Sequence, residues 1–276
     1  MPDQSSSTMQ VMKMSEFTDL PNKKKTKAKA KISKVVAVYY GCGGPPGSSV
    51  DESGNKVDPT PAGEYVIQRI GPHVSHGKYV LSMIAWGTPT RMVKEVSAIP
   101  GTSEHEKNEV FQVQRNGKWI LGTNIHVDLN AANVREAYKA LFEGVGKPAP
   151  VEIPDKWLLN DFGPNTVYFF KDLDGNKKFD PKTETIQQEM FHTTPDNEMQ
   201  LAHKKEIVLD YSHGCIHVHP GHFREMVKKR YFKTGATVQI HKYTQTLPIY
   251  NLDETAKPPY VIHFFPKPQT ILVYGQ

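Results

Sequence analysis

Short runs of β-branched and aromatic residues, each closed by a turn signal, recur along the chain from Lys34 to Gly275. KVVAVYY runs into GCGGPPGSS, a stretch compatible only with a turn or loop. EYVIQRI (64–70), KYVLSMIAW (78–86), EVFQVQR (109–115), TVYFFK (166–171), ETIQQEMF (184–191), ATVQIHKY, YVIHFF and TILVYG follow. EVFQVQR passes through Asn116-Gly117 into KWILGT, and Asn-Gly between apolar alternations is the strongest short-range hairpin signal. Only two segments read clearly as helix. NAANVREAYKALFEG starts at a capping Asn130, puts Val134, Tyr138 and Leu141 on one face and stops at Gly144. PGHFREMVKKRYF has Pro220 in its first turn and Phe223, Met226, Val227 and Arg230 on one side. Many short strands with few helices predict a mostly β sandwich or barrel-like domain.

At 276 residues the chain can bury one substantial core. No apolar run is long enough to span a bilayer as a helix. MPDQSSSTMQVMKMSEF lacks the basic and apolar regions of a secretory signal, so none is expected. The net charge of +5 is largely local, because Lys23, Lys24, Lys25, Lys27, Lys29 and Lys31 crowd one stretch. Residues 1–33 therefore read as a Lys/Ser-rich flexible arm, solvated or facing an anionic partner. With no aromatic residue inside the lysine stretch NKKKTKAKAK for base stacking, nucleic acid is not expected as that partner. A catalytic domain is expected over 34–243, and a Pro-rich extension with short strands over 244–276.

The chemistry concentrates in SHGCIHVHPGH (212–222), four histidines around Cys215, which is one of two cysteines. A nucleophilic cysteine needs a base or positive electrostatics, and donors for the oxyanion it creates. Gly214 allows a tight turn that aims consecutive N–H groups at one point. A metal site is the other reading: His213, Cys215, His217 and His219 alternate, and zinc accepts such ligands. Structural zinc more often draws ligands from two separated pairs.

SHGCIHV resembles the signature of the L,D-transpeptidase (YkuD) catalytic domain, where Ser/Thr-His-Gly-Cys precedes an apolar residue and then Arg or Asn. TPAGEYVI (60–67) is similar to an early strand of that domain, MFHTTP (190–195) to the strand end bearing its histidine, and GATVQIHKY to its last strand. The resemblance covers roughly 35–243 and implies an L,D-transpeptidase-like β-sandwich. It implies Cys215 as nucleophile and His192 as general base, with Thr193 holding the imidazole. It also implies oxyanion donors from the backbone of His213, Gly214 and Cys215, with Ser212 buttressing the turn. The implied substrate is a peptidoglycan stem tetrapeptide, cut with loss of D-alanine through a thioacyl-enzyme. An amine then gives a cross-link, water a tripeptide, and a D-amino acid exchange. No organic cofactor and no metal is implied.

Two departures stand out. His217 occupies the place of Arg or Asn, which leaves hydrolysis as open as cross-linking, and the stretch DNEMQLAHKKEIV lengthens the gap between His192 and Ser212 into a possible lid. His203 is a rival base, set in a charged AHKKE stretch. A substrate outside the cytoplasmic membrane and no evident signal suggest export by a dedicated secretion apparatus, as for wall-attacking effectors met by cognate inhibitor proteins. Cytoplasmic recycling of wall fragments is the other option. Asp172, Asp174, Asn176 and Asp180 offer calcium-type oxygens but miss the EF-hand pattern, so a turn is the simpler reading. Cys42 reads as a small loop residue, and Trp86, Trp119 and Trp157 as core.

Overall fold

The computed structural model describes residues 34–51, 54–77, 79–98 and 105–276; the cationic arm at 1–33 lies outside them. In chain order the strands are β1 (Lys34–Cys42), β2 (Ser49–Val50), β3 (Lys56–Val57), β4 (Gly63–Gly71), β5 (Thr90–Ala98), β6 (His105–Arg115) and β7 (Lys118–Leu121). After helix α1 (Ala131–Glu143) come β8 (Thr166–Phe170), β9 (Phe191–His192), α2 (Pro195–Ala202), β10 (Ile216–Val218) and α3 (Pro220–Lys228). The strands β11 (Thr237–Ile240), β12 (Val261–Phe265) and β13 (Thr270–Gly275) complete the described chain. The protein is mostly β, as its turn-bounded runs require.

Eight strands close into a barrel in the order β1-β10-β9-β8-β4-β11-β12-β13, with β13 pairing back on β1. The β9/β10 and β11/β12 pairs are parallel and the others antiparallel. Alternation sends Tyr65, Ile67, Val167, Phe169, Val238, Ile240, Ile262 and Phe264 inward, into one core. Two stacked sheets were the expectation carried by the resemblance. The observed pairing instead runs around one ring without a free edge, which satisfies the strand N–H and C=O groups that two open sheets leave exposed.

The segment 244–276 is not an appendage. β12 and β13 supply the staves between β11 and β1, and Ser33–Gln276 forms one compact unit. Without them Ile262, Phe264, Ile271 and Val273, all fully buried, leave the core.

Between β4 and β8 the chain builds a second apolar cluster beside the barrel strands. The β5-β6-β7 sheet and α1 surround Phe111, Leu129, Val134, Tyr138 and Trp157. Trp157 is fully buried and donates from Nε1 to Leu81 O at 2.8 Å. Trp119 departs from the expectation of core, lying at the surface under the Arg91 guanidinium, 4.1 Å from the ring centroid. Asn116 and Gly117 both take positive φ, the geometry the β6-β7 hairpin needs.

Both expected helices form. Asn130 caps α1 by accepting from Asn133 N at 3.0 Å, and Val134, Tyr138 and Leu141 are buried. On α3, Phe223 and Met226 face inward, whereas Val227 is exposed and Arg230 lies past the helix end at positive φ. KYVLSMIAW does not form the expected strand: it holds a 3₁₀ turn at Leu81–Met83. Fully buried Asn160 donates to His73 O and Ile84 O, so side-chain hydrogen bonds replace a ladder there. ETIQQEMF contributes only its end to a strand, with an isolated bridge from Ile186 to Phe170.

Candidate active site

β9 and β10 lie side by side and parallel, with Ile216 opposite Phe191 and His217 opposite His192. Ile216 and Phe191 point into the core, so the residues alternating with them, Cys215, His217 and His192, face outward together. Cys215 and the two imidazoles line one cavity of about 270 Å³ with Tyr79, Asp161 and Phe162.

The turn before Cys215 is held from inside. Buried Ser212 donates from N to Gly43 O at 3.1 Å and from its hydroxyl to Cys215 O, and accepts from Gly214 N at 3.0 Å. Ser212 thus buttresses the turn as its position in the motif implies. Gly214 departs from its expected role: its N–H is committed to Ser212 and is not a free oxyanion donor. Its φ of +122° is the reason a glycine stands there. The N–H groups of His213 and Cys215 carry no hydrogen bond among the described residues. The His213 ring is held by Asp51, its Nε2 2.8 Å from Oδ2.

His192 is buried, and its Nδ1 donates to Thr193 O at 2.8 Å, which leaves Nε2 as the lone-pair nitrogen. Of the two atoms considered for Thr193, the carbonyl holds the ring. The Thr193 hydroxyl donates to buried Glu198 at 2.8 Å, and Arg224 donates to the other Glu198 oxygen. Gly163, at φ +62°, backs the same peptide so closely that a Cβ would sit 2.1 Å from Thr193 Oγ1. Phe162 packs on His192 with centroids 4.9 Å apart, and His217 meets it edge-on at the same distance.

Burial sets the charge states. It drives the His192 pKa down to about 3, with neighbouring His217 adding to the effect. It pushes the Cys215 thiol up to about 12, against the Met190 backbone hydrogen bond, which lowers it, and helped by the Glu189 charge. His217 is also lowered, chiefly by burial. At neutral pH the site therefore holds a thiol and a neutral imidazole, not a thiolate–imidazolium pair. Alkylation of Cys215 by iodoacetamide is expected to be slow at pH 7 and to rise about tenfold per pH unit, without a plateau below about pH 10. Peptide mass spectrometry across pH reads this directly; a plateau below pH 7 would establish the ion pair instead. Cys42 is buried, with its thiol pushed up to about 11 by burial, and should stay unmodified.

The remaining sequence candidates separate. His203 ends α2, edge-on to Phe142, and does not line the cavity. His219 caps α3, accepting from Gly221 N at 3.1 Å. The alternating His/Cys set thus holds four different environments. Among the described residues, the one group with ligand atoms within 4.8 Å of one another is Asp172, Asp174 and Glu184. There Glu184 closes the 172–180 loop, accepting from Leu173 N and Asp180 N. The stretch read as a lid forms α2, announced by Thr194 as cap, Pro195 and two acidic residues in the first turn. Tyr79, Asp161 and Phe162 come from loops, where no spacing rule marks a cavity wall.

Comparison with protein-family models finds no match, and neither do searches of curated proteins and of solved structures.

Proposed function

We propose that this chain is a cysteine acyltransferase of the L,D-transpeptidase type, acting on peptidoglycan stem tetrapeptides in the bacterial cell envelope. The observation that carries the reading is the shared cavity wall: Cys215, immediately before β10, and a His192 on the adjacent parallel β9, its Nδ1 tied to Thr193 O, line the same cavity. In the first half-reaction His192 Nε2 takes the thiol proton as Sγ attacks the scissile carbonyl. The His213 and Cys215 N–H groups stabilise the oxyanion. The C–N bond breaks, His192 returns the proton to the departing D-alanine amine, and a thioester remains on Cys215.

A neutral thiol suits this sequence, since the proton moves as the sulfur attacks. Delivery by a secretion apparatus, and a cognate inhibitor in the producing cell, belong to the same proposal. The zinc-binding alternative gains no support from side chains that hold separate partners.

The test is mass spectrometry of the protein incubated with purified disaccharide-tetrapeptide. The expected result is free D-alanine, together with an adduct on Cys215 of the tetrapeptide mass less D-alanine. An untouched tetrapeptide and an unmodified Cys215 would overturn the reading.

A further inference from the structure

Only Thr193 and Thr194 separate His192, the last residue of β9, from α2. Thr194 serves the helix, its hydroxyl accepting from Asn197 N at 3.2 Å as the cap. Thr193 is left as the link to the base, and its carbonyl accepts from His192 Nδ1 at 2.8 Å. A carbonyl accepts and never donates, so while it stays in place Nδ1 carries the proton and Nε2 the lone pair. The aim of that carbonyl turns with the soft Thr193 dihedrals, which a two-residue link does not fix by itself.

Glu198 is 7% exposed, and its two oxygens hold separate partners. Oε1 accepts from the Thr193 hydroxyl at 2.8 Å, and Oε2 accepts from Arg224. Burial pushes the carboxyl up, against the Thr193 and Arg224 interactions, which lower it. Its place in the first turn of α2 also suits an anion. A carboxylate this enclosed is costly to leave unpaired, so its two bonds are held firmly. On the opposite side a Cβ at Gly163 would lie 3.1 Å from Thr193 O as well as against its hydroxyl. The Thr193 peptide is thus clamped between Glu198 and Gly163. Neither Glu198 nor Arg224 lines the Cys215 cavity, so both reach it only through Thr193. Glu198 belongs to α2, the helix that follows β9 and His192, and Arg224 to α3, the helix that follows Cys215 and β10. The ion pair therefore joins the base's half of the site to the nucleophile's half.

We propose that Glu198 and Arg224 are positioning residues for His192: through the Thr193 hydroxyl they hold the carbonyl that keeps the imidazole in its Nδ1–H form, leaving the Nε2 lone pair for the Cys215 proton. The inference rests on the acyl-transfer reading above and deepens it. Each turnover places a proton on Nε2 and takes it away again. While the ring is charged, its Nδ1–H bond to Thr193 O is charge-assisted and tightens, so the ring returns to the same tautomer. A Thr193 peptide freed to rotate would let the proton settle on Nε2 instead, a form with no lone pair for the thiol.

The experiment is nitrogen NMR of the full chain with isotope-labelled histidine, run beside D-alanine release at neutral pH. The Nδ1–H and Nε2–H forms of a neutral ring differ in their nitrogen shifts, and His192→Gln assigns the signal. Wild type should show His192 in the Nδ1–H form alone. Thr193→Val and Glu198→Gln should each bring in the Nε2–H form and lower kcat about ten- to a hundredfold, with KM little changed. Thr193→Ser keeps the hydroxyl and should restore both readouts. Combining Thr193→Val with Glu198→Gln should be no slower than the slower single variant, because the two act along one chain of contacts. Arg224→Gln, made at a side chain 57% exposed, removes the ion pair without opening the core and should shift the ring the same way. Folded variants that keep the wild-type nitrogen shifts, whatever their Tm, overturn the inference and leave Glu198 as a contact of the fold. A Thr193→Ser that matches Thr193→Val in ring form and rate overturns it too. If wild type releases no D-alanine while the variants still shift the ring, the acyl-transfer reading falls and the hold of Glu198 on His192 stands.

Discussion

Replacing Cys215 by serine should abolish D-alanine release, a loss of about a thousandfold or more. The hydroxyl is a far weaker acid than the thiol, and a neutral His192 has no stored positive charge to compensate. Stability should hardly change, because sulfur and oxygen differ little in size at a partly exposed site; Tm should move by no more than about 2 °C. His192→Gln should cost a comparable factor, since it removes the imidazole whose Nε2 the Thr193 hydrogen bond leaves as the lone-pair nitrogen. The informative measurement is the double variant. If the two residues act as one unit, Cys215→Ser with His192→Gln is no slower than either single change. Losses that multiply would mean that His192 works in a separate step.

Gly214→Ala should be nearly as damaging to turnover and more damaging to the fold. At φ +122° an alanine is strained, and its Cβ would also meet Glu189 Cγ at 3.4 Å. Holding a non-glycine residue in that region costs about 1–3 kcal/mol, enough to lower Tm by several degrees. Relaxing the turn would pull Gly214 N off Ser212 Oγ and move Sγ and both free N–H donors together. A displacement of about 1 Å at reacting atoms costs on the order of a hundredfold. Hydrolysis and amide formation share that turn, so both should fall together and their ratio should hold. A variant that kept full turnover would show that the turn does not set the nucleophile's position.

Much of this was legible in the sequence because it depended on local rules. Runs with β-branched residues between turn signals marked β1, β4, β6, β8 and β11–β13, and Asn130 with its apolar spacing marked α1. Ring closure was not legible, because it depends on β13 meeting β1 across the length of the chain. KYVLSMIAW has a strand's composition, yet a buried Asn160 far downstream takes its Ser82 and Ile84 carbonyls. Helix α2 was overlooked although Thr194, Pro195 and the first-turn acids were visible, since its apolar face is short. At the site, Ser212, Thr193 and His192 act locally, and their positions followed from the motif. The loss of Gly214 N as a donor did not, because it hinges on which way one hydroxyl points.

The closure of β13 onto β1 also has a consequence during synthesis. β1 lies beside β10, with Cys42 opposite His217, and Gly43 O anchors Ser212. That wall is held in place by strands made well after Cys215. A ribosome-bound chain that already contains the nucleophile therefore cannot assemble the site, and contacts so distant in sequence also form slowly. A chain still on the ribosome thus carries Cys215 without the wall that positions it, and gains that wall only when β13 reaches β1.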